Sequence, residues 1–340
     1  MKRYLWFGLS LLLSLILILI CFRDTDPREV ARALSLAHPG YLALAVAIGV
    51  VSFTGRALRW RTLLSHLRPG VPLGGLFSCT VIGFMLSYVL PLRVGELARP
   101  ILLARREKMS KASVIATVAV ARMMDFLTVL LFFSIYLIGF SSRLPVAGSP
   151  WIQQMRAQGI QVGWVILAAV LGLYITVLTR DRVFRFLEAK TREGSVLRKL
   201  VDFLHAMVRG FEVLKGGRAL AVGMLYTLAT WSLIDLSILA GLKAFGLPMD
   251  FIDVFLLLAF LAVGIAVPTP AGLGSYQFLG MKCLEEVYGI HSEVALAAIW
   301  AQWCIAVVPV MALGAILIWK EGLSVGQVGR MLQSEREASR

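Results

Sequence analysis

Charged residues are scarce in this chain of 340 residues: Asp, Glu, Lys and Arg make up 16%, against 59% hydrophobic residues. A soluble domain of this length needs more polar surface, so a soluble fold is excluded. Many windows of about 18 or more residues are almost wholly apolar, which is long enough to cross a bilayer. The alternating pattern of a membrane β-barrel is missing, so the sequence predicts an all-α integral membrane protein.

Signatures of soluble enzymes and of metal sites are also missing. The sequence holds no Walker loop, dinucleotide-binding fingerprint, nucleophile elbow or Asp-rich magnesium motif. Its four cysteines and four histidines show no metal-ligand spacing. We therefore expect no metal, no cofactor, no ATP-driven pump and no enzyme. The formal charge of +14 could suggest nucleic acid, but in a membrane protein the positions of the charges matter more, so no nucleic-acid partner is expected.

The chain contains eight apolar segments, and we interpret residues 1–340 as a single transmembrane domain. The first follows Lys2 and Arg3, and we interpret it as an uncleaved helix because no small-residue cleavage site follows it; a signal peptide is the alternative. Shorter apolar pieces, 96–104 and 273–288, follow the third and seventh segments. The segments are 4–22, 41–64, 74–90, 112–140, 160–179, 219–246, 251–267 and 293–319.

The basic residues indicate an orientation in the membrane. Segment 180–218 contains ten Lys and Arg residues and 99–111 contains five, so both are predicted to be cytoplasmic. Few Lys and Arg residues occur in the stretches 23–40 and 141–159, which we interpret as external loops. Both termini are then cytoplasmic. Apolar residues at three- and four-residue spacing further predict an amphipathic helix within 180–218.

Simple counting of spans conflicts with these charges. Residues near 68–73 and near 105–111 both look cytoplasmic, so 74–104 has to enter and leave the membrane from one side. If the C-terminus is cytoplasmic, 251–290 has to start and end outside. We therefore predict two re-entrant helical hairpins and about six spanning helices. A plain bundle of eight helices is the alternative.

The hairpins imply an internal symmetry. Residues 41–140 and 219–319 each become a helix, a hairpin and a second helix, in opposite orientations. Such an arrangement is an inverted-topology repeat, and transporters with this architecture bind substrate where the two halves meet.

The first polar break lies between the third apolar segment and the piece at 96–104. Pro91 ends the helix before it and Gly95 permits a tight turn. Arg93, Glu96 and Arg99 follow, and each is costly in lipid unless it faces a polar cavity. We expect Glu96 to pair with one of the two arginines and to hold both in place, which leaves a positive charge that suits a phosphate. An ordinary cytoplasmic loop is the alternative.

The second break holds the corresponding place in the other half. Beyond it, Tyr276 and Gln277 offer neutral hydrogen-bonding groups at the start of a short helix, and we expect them to complete the substrate site. A plain loop between two spans is the alternative. The prolines and glycines that interrupt the helix are Pro268, Pro270, Gly272 and Gly274.

Further charges lie inside the apolar segments. Arg122 and Asp125 share one helix face and can pair, either as a structural pair or in a substrate or proton role. Asp235 has no partner nearby in sequence, which makes it a candidate proton carrier, with polar packing as the alternative. Arg56 and Arg59 share a face near the cytoplasmic end of the second segment, where they either collect phosphates or anchor the helix.

The motifs at these sites resemble those of the lysylphosphatidylglycerol synthase transmembrane-region family, also called flippase-like. Ala271 and Gln277 depart from its second signature, which more often has glycine and an acidic residue there. The resemblance covers roughly 40–320. The motifs that carry it are GRALRW at 55–60, PLRVGELAR at 91–99, SKAS at 110–113, RMMD at 122–125 and PTPAGLG at 268–274.

The resemblance implies translocation of a lipid between leaflets of a bacterial cytoplasmic (inner) membrane. Family members are linked to aminoacylated phosphatidylglycerol, glycolipid, polyprenyl-phosphate or hopanoid pathways, so the partner expected here is a lipid with an anionic headgroup. Only a short tail follows the last apolar segment, and we expect no synthesis of lysyl-lipid by this chain alone. An intramembrane lipid-modifying enzyme and a scaffold for a partner synthase are the alternatives. A homo-oligomer is left open.

Overall fold

A computed structural model describes residues 2–23, 25–89, 95–140 and 217–322. Within these ranges every regular element is helical, and four helices are long and apolar enough to cross a membrane, or five if the bent pair α1–α2 counts as one span. The prediction of an all-α membrane protein is confirmed. The helices are α1 (Lys2–Arg23), α2 (Pro27–Leu36), α3 (Pro39–Leu64), α4 (Leu73–Val89), α5 (Gly95–Arg106), α6 (Lys111–Gly139), α7 (Gly217–Lys243), α8 (Asp253–Ala266), α9 (Ser275–Lys282) and α10 (Ser292–Lys320).

Several predicted features lie outside the described residues. They include the apolar segment 160–179 and all of the amphipathic segment 180–218 except its last two residues, which belong to α7. Pro91 and Arg93 of the first break lie outside them as well.

Helix α2 occupies the stretch that the sequence analysis interpreted as an external loop. Its first turn is well specified, because the Asp26 carboxylate accepts the backbone N–H of Arg28 at 2.8 Å and Pro27 stands at the first helical position. The helix makes an angle of 86° with α1. A search for long apolar runs does not find a short capped helix of this kind.

Helices α3 and α7 form an antiparallel pair at the centre of the fold. At one end the backbone N–H of His38 donates to the carbonyl oxygen of Ala244 at 2.8 Å. Towards the other end Arg59 donates to the hydroxyl of Thr227 at 3.3 Å. The segment that follows α3 and the segment that follows α7 therefore start from opposite ends of this pair.

The first of these segments, α4 and α5, folds back on itself. Arg68, just before α4, forms an ion pair with Glu107, just after α5, at 3.4 Å. The helices cross closely at Gly83 and Gly95, where a Cβ on Gly83 would lie 2.6 Å from the Cβ of Arg99. Both ends of the segment thus lie at one end of the bundle.

The second segment, α8 and α9, is closed in the same way. The Tyr288 hydroxyl, beyond α9, donates to the carbonyl oxygen of Asp253, the first residue of α8, at 2.9 Å. Gly264 allows the two helices to approach, since a Cβ there would lie 2.9 Å from the carbonyl oxygen of Ser275. A short 3-10 turn, Pro270–Gly272, lies between the helices.

Each hairpin packs against the last long helix of the other half, α4 against α10 and α8 against α6. In the second contact the rings of Phe132 and Phe255 stack at 4.3 Å. At the far end of α10, Glu321 accepts from Arg106 at 2.8 Å. The contacts of the two hairpins correspond to each other, as they would in an inverted repeat. The number of spans, the orientation and the re-entrant placement of the hairpins in a membrane stay predictions.

Cysteine labelling tests that placement. In a Cys304→Ser background, which leaves the three buried cysteines, exposed positions at the hairpin bases are replaced one at a time. Pro69→Cys and Lys108→Cys should both react with an impermeant thiol reagent from the cytoplasmic face. Pro248→Cys and His291→Cys should both react from the other face. Reaction of the two members of either pair from opposite faces would rule out that re-entrant hairpin.

Candidate functional site

A cavity of 240 Å³ lies between the two halves of the molecule. Both hairpins and the long helices α3, α6, α7 and α10 contribute to its wall. Arg56, Glu96 and Arg122 give it one charged region, whereas Leu258 and Ile305 belong to a largely apolar remainder. The volume is somewhat below the roughly 300–1,000 Å³ of typical ligand pockets, so the cavity suits a headgroup better than a whole lipid.

A buried ion pair lies beside this cavity. Asp125 on α6 receives two hydrogen bonds from the Arg59 guanidinium, with N···O distances of 2.5 and 3.3 Å. The indole N–H of Trp231 on α7 donates to the same carboxylate at 2.9 Å. The Arg59 side chain is 1% exposed and that of Asp125 8%. Three helices are thus joined at one carboxylate, whose buried charge is satisfied by charge-assisted hydrogen bonds.

Arg122 extends this cluster to the first hairpin. It pairs with Asp125 three residues along the same helix at 3.6 Å, as the spacing predicts, and with Glu96 on α5 at 3.2 Å. The sequence predicts that Glu96 holds Arg93 and Arg99; its described ion-pair partner is Arg122, and any pairing with Arg93 lies outside the described residues. A helix face that approaches from elsewhere in the chain provides this partner.

Arg56 lies next to these ion pairs and takes part in neither of them. In the described part of the chain it forms no ion pair, and its Nε is buried without a hydrogen-bond partner. Its guanidinium carbon lies 5.0 Å from the ring centre of Phe84 and 5.8 Å from those of Phe53 and Trp231. These aromatic faces attract the Arg56 cation but do not neutralise its charge. An anion in the cavity can therefore still bind Arg56.

Arg99 on α5 is a second cation of this kind. It is 4% exposed, and its guanidinium carbon lies 4.2 Å above the Trp60 ring. Within the described ranges its Nε and Nη2 have no hydrogen-bond partner. The cost of a buried cation is several kcal/mol unless an opposite charge offsets it. Arg99 therefore points to an anion as a missing partner.

The charges in this region do not balance. Among the described residues, four guanidinium groups face two carboxylates, which leaves an excess of two positive charges: Arg56, Arg59, Arg99 and Arg122 against Glu96 and Asp125. Such an excess in a water-poor cavity attracts anions.

The second break reaches the cavity from the opposite hairpin. Gly272 and Tyr276 line the wall together with Ala271. Gln277 is fully buried and is not part of the wall; its side-chain oxygen accepts the N–H of Gly274 at 2.7 Å and caps α9. Two of the predicted residues thus lie at the site, while Gln277 holds the backbone of the break.

The other residues of this break shape the backbone. Pro270 opens the 3-10 turn, and Gly272 and Gly274 have φ values of +70° and +87°, which favour glycine. The carbonyl oxygen of Leu273 accepts the hydroxyl of Ser14, which attaches the break to α1 at 2.7 Å. Pro268 precedes this turn and continues the interruption after α8.

Asp235 on α7 lies behind the cavity wall. It is 0% exposed, and within the described residues both carboxylate oxygens lack a hydrogen-bond partner. Its neighbours Ile234 and Ser237 line the cavity.

Aromatic residues hold the charges of the site, and Tyr276 is the one aromatic residue among the sequence-predicted site residues. Trp231 contacts both Asp125 and Arg56, and Trp60 lies under Arg99. The sequence does point to Trp231, because an indole N–H in the middle of an apolar segment needs a polar partner.

These features define a multi-pass helical membrane protein with a positively charged cavity between two hairpin-bearing halves. Residues 6–314 match the family model described as the lysylphosphatidylglycerol synthase transmembrane region, so the chain belongs to this family, as its motifs predict. It is 26% identical to the glycosyltransferase AglD of Haloferax volcanii over 317 residues, which are 85% of this chain and 50% of that protein. The chain thus spans about half the length of this curated relative.

The Arg59–Asp125 pair should be the most sensitive point of the site to mutation. Asp125→Ala leaves Arg59 buried without its counterion, so we expect a loss of about 3–5 kcal/mol in unfolding free energy. Glu29→Ala is the matched control, because it breaks an exposed pair with Arg32 that contributes at most about 1 kcal/mol. Chemical denaturation of the purified protein in detergent measures both. Equal stability of the two variants would contradict this prediction.

Proposed function

We propose that this protein moves a phosphate-bearing lipid, or a lipid-linked glycan precursor, between the leaflets of a bacterial cytoplasmic membrane, with both of its termini in the cytoplasm. The observation that carries the proposal is that two buried arginines beside a cavity between the two halves, Arg56 and Arg99, form no ion pair with any of the described residues.

Phosphate is the anion that these groups suit. The planar fork of a guanidinium donates two parallel hydrogen bonds to two phosphate oxygens. Arg56 lies on the cavity wall and Arg99 lies behind it. In this proposal Arg93 and Arg99 approach the headgroup from the first break, and Tyr276 approaches it from the second. The apolar part of the wall receives the first carbons of the lipid tail.

The arrangement of the halves supports alternating access. Each hairpin packs against the last long helix of the other half, so a rocking movement of one half shifts one wall of the cavity relative to the other. Arg122 bridges Glu96 and Asp125 and hence joins α5 to α6. We propose that this bridge acts as a gate that opens when a phosphate competes for Arg122.

Two alternatives have support of their own. An intramembrane lipid-modifying enzyme could use Glu96 or Asp125 as a base, and the relative named a glycosyltransferase favours a link to glycan transfer. A scaffold for a partner synthase would need no phosphate site. Family membership supports a role in lipid or glycan metabolism in all three cases.

Translocation can be measured directly in vesicles. The purified protein is reconstituted with tail-labelled phosphatidylglycerol or a tail-labelled polyprenyl phosphate, and leaflet exchange is followed by chemical quenching from outside. Arg56→Ala should slow exchange roughly tenfold to a hundredfold, because a hydrogen bond to a charged group contributes about 1.5–3 kcal/mol. Arg61→Ala, an exposed arginine of the same helix, is the matched control and should exchange like the parent protein.

The same vesicles separate the three functions. A translocase leaves the mass of every lipid unchanged, whereas an enzyme produces a new mass on incubation with its co-substrate. A scaffold gives no exchange and no response to Arg56→Ala. Conversion of lipid by the purified chain, or exchange at an equal rate in Arg56→Ala and the parent protein, would overturn the proposed function.

A further inference from the structure

We propose that Asp235 carries the proton that drives this translocation, so that one proton crosses the membrane with each lipid. This inference rests on the proposed function and supplies its energy source. It starts from the burial of a carboxyl group that the phosphate site does not use.

The surroundings of Asp235 require the carboxyl group to be neutral in this conformation. Both of its oxygens are buried and lack a hydrogen-bond partner among the described residues. An isolated carboxylate in such a place costs several kcal/mol or more, and it binds a proton instead. A protonated carboxyl group avoids that cost, so the described state is the proton-loaded one.

Charged neighbours in the described part of the chain offer no other explanation. Helices α3, α6, α8 and α10 pack against α7. Among the described residues, the charged groups along them that lie in or near the apolar spans form no hydrogen bond or ion pair with Asp235. These groups are Arg56, Arg59, Arg122, Asp125, Asp253, Glu293 and Lys320. Within the described ranges the carboxyl group therefore has neither an ion-pair partner nor a structural hydrogen bond that would account for its burial.

The position of Asp235 links it to the phosphate site. Trp231 lies one turn before it on α7, donates to Asp125 and lies 5.8 Å from Arg56. Ile234 lines the cavity beside it. Residues four apart lie above one another on a helix face, so a movement of α7 that disturbs Trp231 also moves Asp235. In this proposal, when the half that contains α7 rocks with its bound lipid, Asp235 moves with it towards water.

A pH gradient tests the coupling in sealed vesicles with the membrane potential clamped at zero and tail-labelled polyprenyl phosphate as the probe. At one proton per lipid, a gradient of one pH unit should give about a tenfold difference in the amount of probe between the leaflets at equilibrium. Asp235→Asn, a neutral isostere, should give equal amounts in both leaflets. Asp250→Asn, an exposed acid before α8, is the matched control and should keep the tenfold difference.

The outcomes separate this inference from the proposed function. If the parent protein exchanges the probe but no asymmetry develops, or Asp235→Asn keeps the asymmetry, proton coupling through Asp235 is overturned and translocation stands. If the parent protein exchanges no probe, the proposed function fails. Infrared spectroscopy gives a test that needs no transport measurement. At neutral pH we expect a band of a protonated carboxylic acid in the parent protein and no such band in Asp235→Asn. Absence of the band from the parent protein overturns the inference.

Discussion

The ion pair between Arg59 and Asp125 is the contact on which the rest of the site depends. It joins α3 to α6, and the indole of Trp231 adds α7 to the same carboxylate. A buried charge left alone costs several kcal/mol, so loss of either partner destabilises the packing of these three helices. The pair has a second consequence. Because Asp125 already pairs with both Arg59 and Arg122, its single negative charge does not offset all of the nearby arginines, and the described residues of the site keep a positive excess.

The two hairpins place that charge between two halves that can move. Close crossings at Gly95 in the first hairpin and Gly264 in the second make each a compact unit. Each hairpin then packs against the other half, so helices from different halves are in contact on both sides of the cavity. A ligand that binds between them can change the relative free energies of two arrangements, which is the physical requirement for alternating access.

Sequence patterns located most of this machinery but not its contacts. The motif around Arg122 and Asp125 predicts their pair because three-residue spacing on a helix is a local property. The sequence predicts a partner for Glu96 within its own segment, and the structure adds Arg122 from α6, which no local pattern indicates. Gln277 was assigned to the substrate site, and it instead caps α9 from a buried position. Helix α2 was missed because its signal lies in the cap at Asp26 rather than in hydropathy.

The sequence by itself determined that the chain is helical and membrane-embedded, where its helices break, and which family it belongs to. These properties depend on the length of apolar runs and on proline and glycine, and they act within a few residues. Only the tertiary structure decided which charges are neutralised. Arg59 and Asp125 lie 66 positions apart, and their pairing depends on the register of packed helices. Among the described residues, that register leaves Arg56, Arg99 and Asp235 without an ion-pair partner, and these three residues carry the functional proposals.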